Sequence, residues 1–221
     1  TFTQGEDQCL ASMVPDLPAA PESAQRLMVV GTLADIIEEQ FRRHFAQLGI
    51  TDVDFFPAAR ADDLPPVGPG TRVLLAQPYV SDTVTALCKR GAKLLSAPYP
   101  LGIDGTLAWF QAAAAEWGHS ADAVHEALAI PMARAQKSLA KVRESLKGRT
   151  IHFLPDSQLE IPLARFLRDE CGMSLTEVAT PYLDQTLMAG ELQRLGRDVS
   201  LVEGSDLDSA CLLYTSDAAD D

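Results

Sequence analysis

Polar side chains follow several of the apolar runs in this sequence, at positions where they could bind a ligand or exchange protons. Gln77 and Tyr79 follow one run, and Asp104 lies in the loop after another. Asp156 and Gln158 follow a third run. If the runs are parallel strands, these side chains lie at the carboxyl edge of a sheet, where open α/β sheets bind ligands. A structural role is the alternative, since Tyr79 could pack between a strand and a helix and Asp156 could cap a helix.

The common nucleotide-binding and hydrolase motifs are absent from the sequence. It contains no G-x-x-x-x-G-K-[ST], no G-x-G-x-x-G after a predicted strand and no G-x-S-x-G. Gly68 and Gly70 precede a predicted strand, which is typical of a turn. We therefore expect any ATP or nicotinamide used in the chemistry to be held elsewhere.

The cysteines form no recognisable metal-binding or disulfide pattern. Cys9, Cys88, Cys171 and Cys211 are widely spaced, none belongs to a C-x-x-C, and none has a histidine at ligand spacing. We therefore expect no zinc or iron–sulfur site formed by this chain alone and no disulfide framework. The cysteines are interpreted as reduced thiols that pack as small apolar groups in a cytoplasmic protein.

The charge of the chain excludes several classes of partner. Eighteen Lys and Arg residues stand against 31 Asp and Glu residues, which gives a net charge of −13. Such an acidic chain is poorly suited to neutralising nucleic-acid phosphates or docking on an anionic membrane. No apolar run is long enough to span a bilayer. The hydrophobic fraction of 47% is that of an ordinary globular protein.

The elements that must position the polar side chains are predicted by alternating strand and helix patterns. The apolar run at 26–30 ends at Gly31, as expected of a buried parallel strand. Thr32 stands three residues before Asp35, which is a helix N-cap signal. Trp109 and Phe110 lie in a later helix and are expected in the core. The helix after Thr32 is predicted from the apolar face of Ile37, Phe41, Phe45 and Leu48, and Gly49 ends it. Further strands are predicted at 53–56, 73–76 and 93–97, with helices at 82–90 and 104–117.

A second strand and helix series follows a long helical stretch. The stretch at 120–147 is rich in Ala and Lys and is expected to be interrupted at Pro131. Strands are then predicted at 151–154, 175–179 and 199–202, and a capping box formed by Ser157 and Glu160 begins a helix. The fold class is therefore α/β, with two Rossmann-like parallel-sheet units. The second unit ends with an uncovered edge, so we expect a chain truncated at its C-terminal end.

Four stretches of sequence carry a specific resemblance. They are TFTQGEDQCLAS at 1–12, APYPLG at 97–102 with DGT at 104–106, FLPDSQLE at 153–160, and LARFL at 163–167 leading to Gly172 and Met173. In this order they resemble the N subunit of light-independent (dark-operative) protochlorophyllide reductase, over roughly residues 1–208. This resemblance implies the nitrogenase component-1 architecture of several Rossmann-like domains, and an internal fragment of a subunit about twice as long.

The strand and helix pattern, together with the resemblance, predicts a division of the chain. Residues 1–24 would be a junction from a missing N-terminal domain, 25–118 a Rossmann-like domain, 119–149 a helical connector and 150–208 a truncated second domain. Residues 209–221 are a separate case, because LYTSDAAD at 213–220 resembles translated sequencing adapter. A genuine acidic tail is the alternative for this segment.

An activity follows from the resemblance. The family reduces the C17=C18 bond of ring D of protochlorophyllide to give chlorophyllide, with electrons from an ATP-hydrolysing iron–sulfur protein. The electrons pass through a [4Fe–4S] cluster in a heterotetramer of two N and two B subunits. The family's cluster cysteines would lie upstream of Thr1, and Cys9 is expected to be a buried thiol rather than a ligand. The alternatives are chlorophyllide reductase, a nitrogenase cofactor-assembly subunit, or a non-redox module that binds a small molecule.

The resemblance finally suggests which residues face the substrate. By analogy with the superfamily, residues 3–7 and the loops after the strands would line an interdomain cavity. The substrate-cavity candidates are Gln4, Glu6, Asp7, Gln77, Tyr79, Asp104, Asp156 and Gln158. Structural roles remain open for several of them, since Asp7 and Asp156 could cap helices and Gln4 could bridge domains. No residue is assigned as the proton donor.

Overall fold

The computed structural model describes residues 2–60, 63–196 and 198–204. The tail at 209–221 lies outside the described residues. The chain divides into two compact units, of which one is Phe2–Gln136 and the other begins at Lys137. The division falls inside a helix, and the domain boundaries given above remain a prediction. Among the described residues, no helix is long and apolar enough to cross a membrane.

The first unit is built on a four-stranded parallel sheet. Its strands are β1 (Arg26–Val30), β2 (Val53–Phe56), β3 (Thr71–Leu75) and β4 (Lys93–Leu94). They lie in the order β2-β1-β3-β4, and Val29 in β1 lies opposite Phe55 on one side and Leu74 on the other. The predicted strands are confirmed, but the fourth is shorter than expected.

Helices cover this sheet and bury an aromatic core. The first unit contains α1 (Phe2–Met13), α2 (Asp35–Gln47), α3 (Ser81–Lys89), α4 (Gly102–Glu116) and the start of α5 (Ala121–Leu146). Phe45, Trp109 and Phe110 are fully buried, and the ring centroids of Phe45 and Phe110 lie 4.5 Å apart. The indole N–H of Trp109 donates a hydrogen bond to the carbonyl of Leu75, 2.7 Å away, so its one polar group is satisfied. The expected core position of Trp109 and Phe110 is confirmed.

Helix α5 continues without a break through Pro131, so the predicted interruption is wrong. A proline removes one backbone donor from the helix interior. The lost N–H is the one that would bond the carbonyl of Ala127, four residues earlier. The loss of this one hydrogen bond does not end the helix, which runs for 26 residues.

The elements of the second unit are β5 (Thr150–Phe153), α6 (Glu160–Asp169), β6 (Ser174–Thr180), α7 (Ala189–Leu195) and β7 (Ser200–Glu203). The three strands form a parallel sheet in the order β5-β6-β7. Helices α6 and α7 are joined by a buried ion pair in which Nε of Arg165 lies 2.6 Å from Oε2 of Glu191. The sequence analysis identified all three strands and α6, but not α7.

Candidate functional site

The strand order of the first unit places a topological switch point between β1 and β3. The chain leaves β1 to form β2 on one side and returns to form β3 on the other. Crevices at such a point are the usual ligand sites of open α/β sheets. Gly31 and Thr32 follow β1 at this edge, and Gln77 and Tyr79 follow β3.

Gln77 connects the two loops at the switch point. Its Oε1 accepts a hydrogen bond from the backbone N–H of Thr32 at 2.7 Å, and its Nε2 donates to the backbone carbonyl of Thr32 at 3.1 Å. Gly31 makes this approach possible, because a Cβ at Gly31 would lie 3.1 Å from Oε1 of Gln77 and its φ is +148°. The amide of Gln77 is therefore held on both of its polar atoms.

Helix α1 brings a carboxylate to the same turn. The hydroxyl of Thr32 donates to Oε1 of Glu6 at 2.5 Å. The prediction that Thr32 caps α2 is therefore wrong. Ala34 occupies the N-cap position of α2 and makes no side-chain cap bond, while the only hydroxyl of Thr32 is directed to Glu6.

Asp7, the next residue of α1, is buried and caps α3. Its Oδ2 accepts from the backbone N–H of Asp82 at 2.8 Å, and its Oδ1 accepts from the N–H of Thr83 at 2.9 Å. The Thr83 hydroxyl also donates to Oδ1 at 2.7 Å. These bonds satisfy N–H groups that a helix start leaves free. Capping was the structural role left open for Asp7 in the sequence analysis.

Tyr79 follows β3, two residues after Gln77. Its side chain is buried, and burial followed by the negative charge of Glu6 raises the pKa of Tyr79 to about 12. The phenol is therefore protonated at neutral pH and can donate a hydrogen bond. Glu6, Thr32, Gln77 and Tyr79 are called the switch-point cluster from here on.

The remaining first-unit candidates, Gln4 and Asp104, both lie on helices. Gln4 is exposed on α1, one turn before Asp7. Asp104 is exposed in the first turn of α4, which follows the loop after β4. A carboxylate in a first helical turn interacts favourably with the helix dipole.

In the second unit, Gln158 is an unusual residue in the loop after β5. Its φ is +75°, and its side chain is completely buried. Neither polar atom of its amide has a hydrogen-bond partner among the described residues. Left-handed backbone in a non-glycine residue and unpaired buried polar groups are both unfavourable and often occur at functional sites.

Glu160 organises the same loop. Its Oε1 accepts from the backbone N–H groups of Asp156 and Ser157, each at 2.7 Å. This is one half of the predicted capping box, in which the carboxylate reaches back to the start of the helix. Asp156 itself is exposed, and α6 has no side-chain cap bond at its N-cap residue, Leu159.

The described cysteines occupy different environments. Cys9 and Cys88 are exposed and Cys171 is buried. The expectation that the cysteines pack as small apolar groups is therefore wrong for Cys88 and also for Cys9, which was expected to be a buried thiol. Cys9 lies on α1 between the buried residues Asp7 and Leu10, on the side of the helix that faces solvent. Burial, followed by the negative charge of Glu170, raises the pKa of Cys171. Cys211 lies outside the described residues.

Comparison with known proteins identifies the family. The model of the nitrogenase component 1 type oxidoreductase family matches residues 1–210. The chain belongs to this family. Its architecture is also similar to that of a solved structure titled nitrogenase Cp1 at pH 6.5. That structure has a TM-score of 0.65 and 17% sequence identity, over 98% of this chain and 52% of the other.

Curated members of the nitrogenase component 1 type family share about half of their residues with this chain. A protein of Halorhodospira halophila (strain DSM 244 / SL1) named light-independent protochlorophyllide reductase subunit N is 54% identical over 209 residues. Relatives of the same name in Rubrivivax gelatinosus and Rhodopseudomonas palustris (strain TIE-1) are 54% and 52% identical. The aligned residues make up 94–95% of this chain and 48–49% of these relatives. The chain thus spans about half the length of the curated relatives that it matches.

The resemblance seen in the sequence and the expected fold class are confirmed by these comparisons. The expected α/β class with parallel sheets is also seen in both units. The contacts within the switch-point cluster, by contrast, were not foreseen. Thr32 was missed as a partner of Glu6 and Gln77, because residues 26 and 45 positions apart carry no local signal of their pairing.

Proposed function

We propose that this chain is part of the catalytic N subunit of a light-independent protochlorophyllide reductase. The reaction is the reduction of the C17=C18 bond of ring D of protochlorophyllide to chlorophyllide. The observation that carries the proposal is the 54% identity to a subunit of that name over 95% of the chain. Identity at this level over both units is much more specific than the shared fold alone.

The proposal includes the partners implied by the resemblance. The full-length subunit would work in the cytoplasm with a B subunit, in a complex of two N and two B subunits. An ATP-hydrolysing iron–sulfur protein would supply the electrons. The described residues contain no group of three or more His, Cys, Asp or Glu that could hold a metal. They do not fit a [4Fe–4S] cluster by themselves.

The switch-point cluster gives this chain a role in handling protons. Reduction of one double bond takes two electrons and two protons, so the protein must position proton-bearing groups near the substrate. Tyr79 holds its proton firmly because of its raised pKa. Glu6 offers a carboxylate whose Oε1 is bonded to Thr32. Tyr79 and Glu6 would therefore orient polar groups of the substrate by hydrogen bonding.

In the second unit, the loop after β5 would form ligand contacts of its own. A large, flat tetrapyrrole needs a mainly apolar site with a few well-placed polar groups. The unpaired amide of Gln158 could donate to and accept from a ligand at the same time. Its unfavourable backbone and unpaired atoms support a role that depends on a partner beyond the described residues.

The proposal for the site is tested in the full-length subunit, with assembly and cluster content checked. The variants are Glu6→Gln, Asp156→Asn and Gln158→Ala, with Glu39→Gln in an exposed ion pair on α2 as the matched control. Lower turnover or weaker substrate binding in at least one site variant, with the control unchanged, is expected. Wild-type turnover and affinity in all three would overturn the cavity assignment.

The runner-up functions differ in substrate or chemistry. Chlorophyllide reductase would act on chlorophyllide, a cofactor-assembly subunit would bind a metal cluster as cargo, and a non-redox module would bind its ligand unchanged. Supplying the completed complex with protochlorophyllide and chlorophyllide separately distinguishes the first case. We expect a product from protochlorophyllide and none from chlorophyllide.

A further inference from the structure

We propose that Gln77 and Thr32 are positioning residues for Glu6. The inference rests on the proposed function and adds a specific role for two residues that do not themselves react. In this arrangement Gln77 fixes the turn after β1, the turn fixes the Thr32 hydroxyl, and the hydroxyl fixes the carboxylate of Glu6. The carboxylate is then presented to the substrate in one orientation.

The first contact in this series fixes a backbone segment. Thr32 is exposed and lies between β1 and α2, in a short stretch with no regular structure. The amide of Gln77 bonds to both its N–H and its carbonyl, at 2.7 and 3.1 Å. The N–H and the carbonyl of Thr32 belong to two successive peptide groups, so the two hydrogen bonds of one planar amide hold both of them. An exposed turn is thereby tied to a residue that follows β3.

The second contact fixes the carboxylate. Thr32 donates its hydroxyl to Oε1 of Glu6, and hydrogen bonds to charged acceptors are about twice as strong as neutral ones. Oε2 of Glu6 forms no hydrogen bond within the part of the chain that the structure describes. Glu6 is half-buried, so this second oxygen is the one available to a ligand.

The backbone around the turn is shaped for this arrangement. A side chain at Gly31 would meet Oε1 and Cγ of Gln77 at 3.1 and 3.3 Å and Cβ of Ala76 at 3.2 Å. In many open α/β sheets the glycine turn after the first strand lets a phosphate group approach the backbone. Here the side chain of Gln77 occupies the space next to Gly31. The turn is therefore used to orient protein groups.

The test uses the full-length N subunit in its complex with the B subunit. Thr32→Val removes the hydroxyl at nearly constant volume, and Thr32→Ser keeps it. Gln77→Leu removes both hydrogen bonds between the Gln77 side chain and the backbone of Thr32. Thr176→Val, which removes a hydroxyl bonded to the carbonyl of Ile151 in the second unit, is the control. We expect kcat to fall about tenfold in Thr32→Val and Gln77→Leu, with KM changed less than about twofold, because a misplaced group affects the transition state more than substrate binding. Thr32→Ser should restore most of kcat.

A double variant separates positioning from a general structural effect. If Thr32 acts through Glu6, Thr32→Val has little further effect on kcat once Glu6→Ala is present. An equal effect of Thr32→Val in both backgrounds, or kinetics matching those of Thr176→Val, would overturn the proposal.

Failure of the proposed function is distinguishable from failure of this inference. If the wild-type complex does not reduce protochlorophyllide, the proposed function fails. The role of Thr32 in positioning Glu6 is then tested by crystal structures of the wild type and the Thr32 variants. The carboxylate of Glu6 should then leave its wild-type position in Thr32→Val and keep it in Thr32→Ser. An unmoved carboxylate in Thr32→Val contradicts the inference whatever the activity.

Discussion

The carboxylate of Asp7 accepts hydrogen bonds from both the backbone N–H and the hydroxyl of Thr83, 76 residues further along the chain. The same carboxylate also accepts from the N–H of Asp82. Helix α3 therefore receives its N-terminal cap from α1 rather than from its own N-cap residue, Val80, which has no side-chain cap bond. This contact ties α1 to the sheet unit and keeps its neighbour Glu6 at the switch point.

Removing this cap should destabilise the first unit. Asp7→Ala leaves the amide groups of Asp82 and Thr83 without their acceptor, and loss of a helix cap costs about 1–2 kcal/mol of unfolding free energy. The measurement is denaturant unfolding of the full-length subunit. Ser12→Ala, which removes an exposed hydroxyl bonded within α1, is the control and should change stability by less than about 0.5 kcal/mol. Equal stability of the two variants would contradict the capping role.

Two glycines should respond oppositely to the same substitution. A Cβ at Gly70 would lie 2.0 Å from the carbonyl oxygen of Ala24, whereas a Cβ at Gly5 meets nothing within 4 Å. Gly70→Ala should therefore cost about 2–3 kcal/mol through steric overlap. Gly5→Ala should add about 0.5–1 kcal/mol of stability, because alanine is the better residue within a helix. Thermal unfolding of the two variants shows the sign of each change.

Tyr79 should make the protein sensitive to alkaline pH. The pKa of Tyr79 is raised from 10.0 to about 12 in the folded state. The stabilisation that the protonated phenol gives the folded state is therefore complete below pH 10. It is lost as the pH rises from 10 to about 12. The slope of stability against pH between these values should be smaller in Tyr79→Phe. It should also shrink in Glu6→Gln, which removes the second cause of the shift. An unchanged slope in Tyr79→Phe would show that the phenol does not titrate as described.

The buried ion pair between α6 and α7 should be sensitive to the loss of one partner. Arg165 lies 2.6 Å from Glu191 and 3.9 Å from Glu170, and all three residues are buried. Arg165→Met leaves two buried carboxylates without their cation and should cost about 3–5 kcal/mol. The triple variant Arg165→Met/Glu170→Gln/Glu191→Leu should be more stable than the single one. The order of their denaturation midpoints tests this, and the reverse order would contradict it.

The sequence was most informative where the pattern is local. Strands β1, β2 and β3 were predicted because continuous apolar runs bounded by turn residues are typical of buried parallel strands. Strand β4 is shorter than the predicted strand at 93–97, because only Lys93 and Leu94 pair with β3. The N–H of Leu95 still donates a hydrogen bond to the carbonyl of Val73. Helix α7 is only seven residues long and was missed, since so short a helix shows little periodicity.

The contacts of the candidate site depend on tertiary structure and could not be predicted. Thr32 matched a local helix-cap signal, but a carboxylate from α1 binds its hydroxyl instead. Asp7 caps a helix far along the chain, where a local rule finds only Val80. The correct part of the prediction was the location of polar loops at the carboxyl ends of strands, because that follows from the topology of parallel sheets.

The measurement that tests the central claim most directly is dark reduction of protochlorophyllide by the reconstituted enzyme. The full-length gene is expressed with its B subunit, and the purified complex is mixed with the ATP-hydrolysing iron–sulfur protein, ATP and protochlorophyllide. We predict that chlorophyllide forms in the dark and only when ATP is present. No chlorophyllide, in an assay where the complex containing the Halorhodospira halophila subunit forms it, would contradict the assignment.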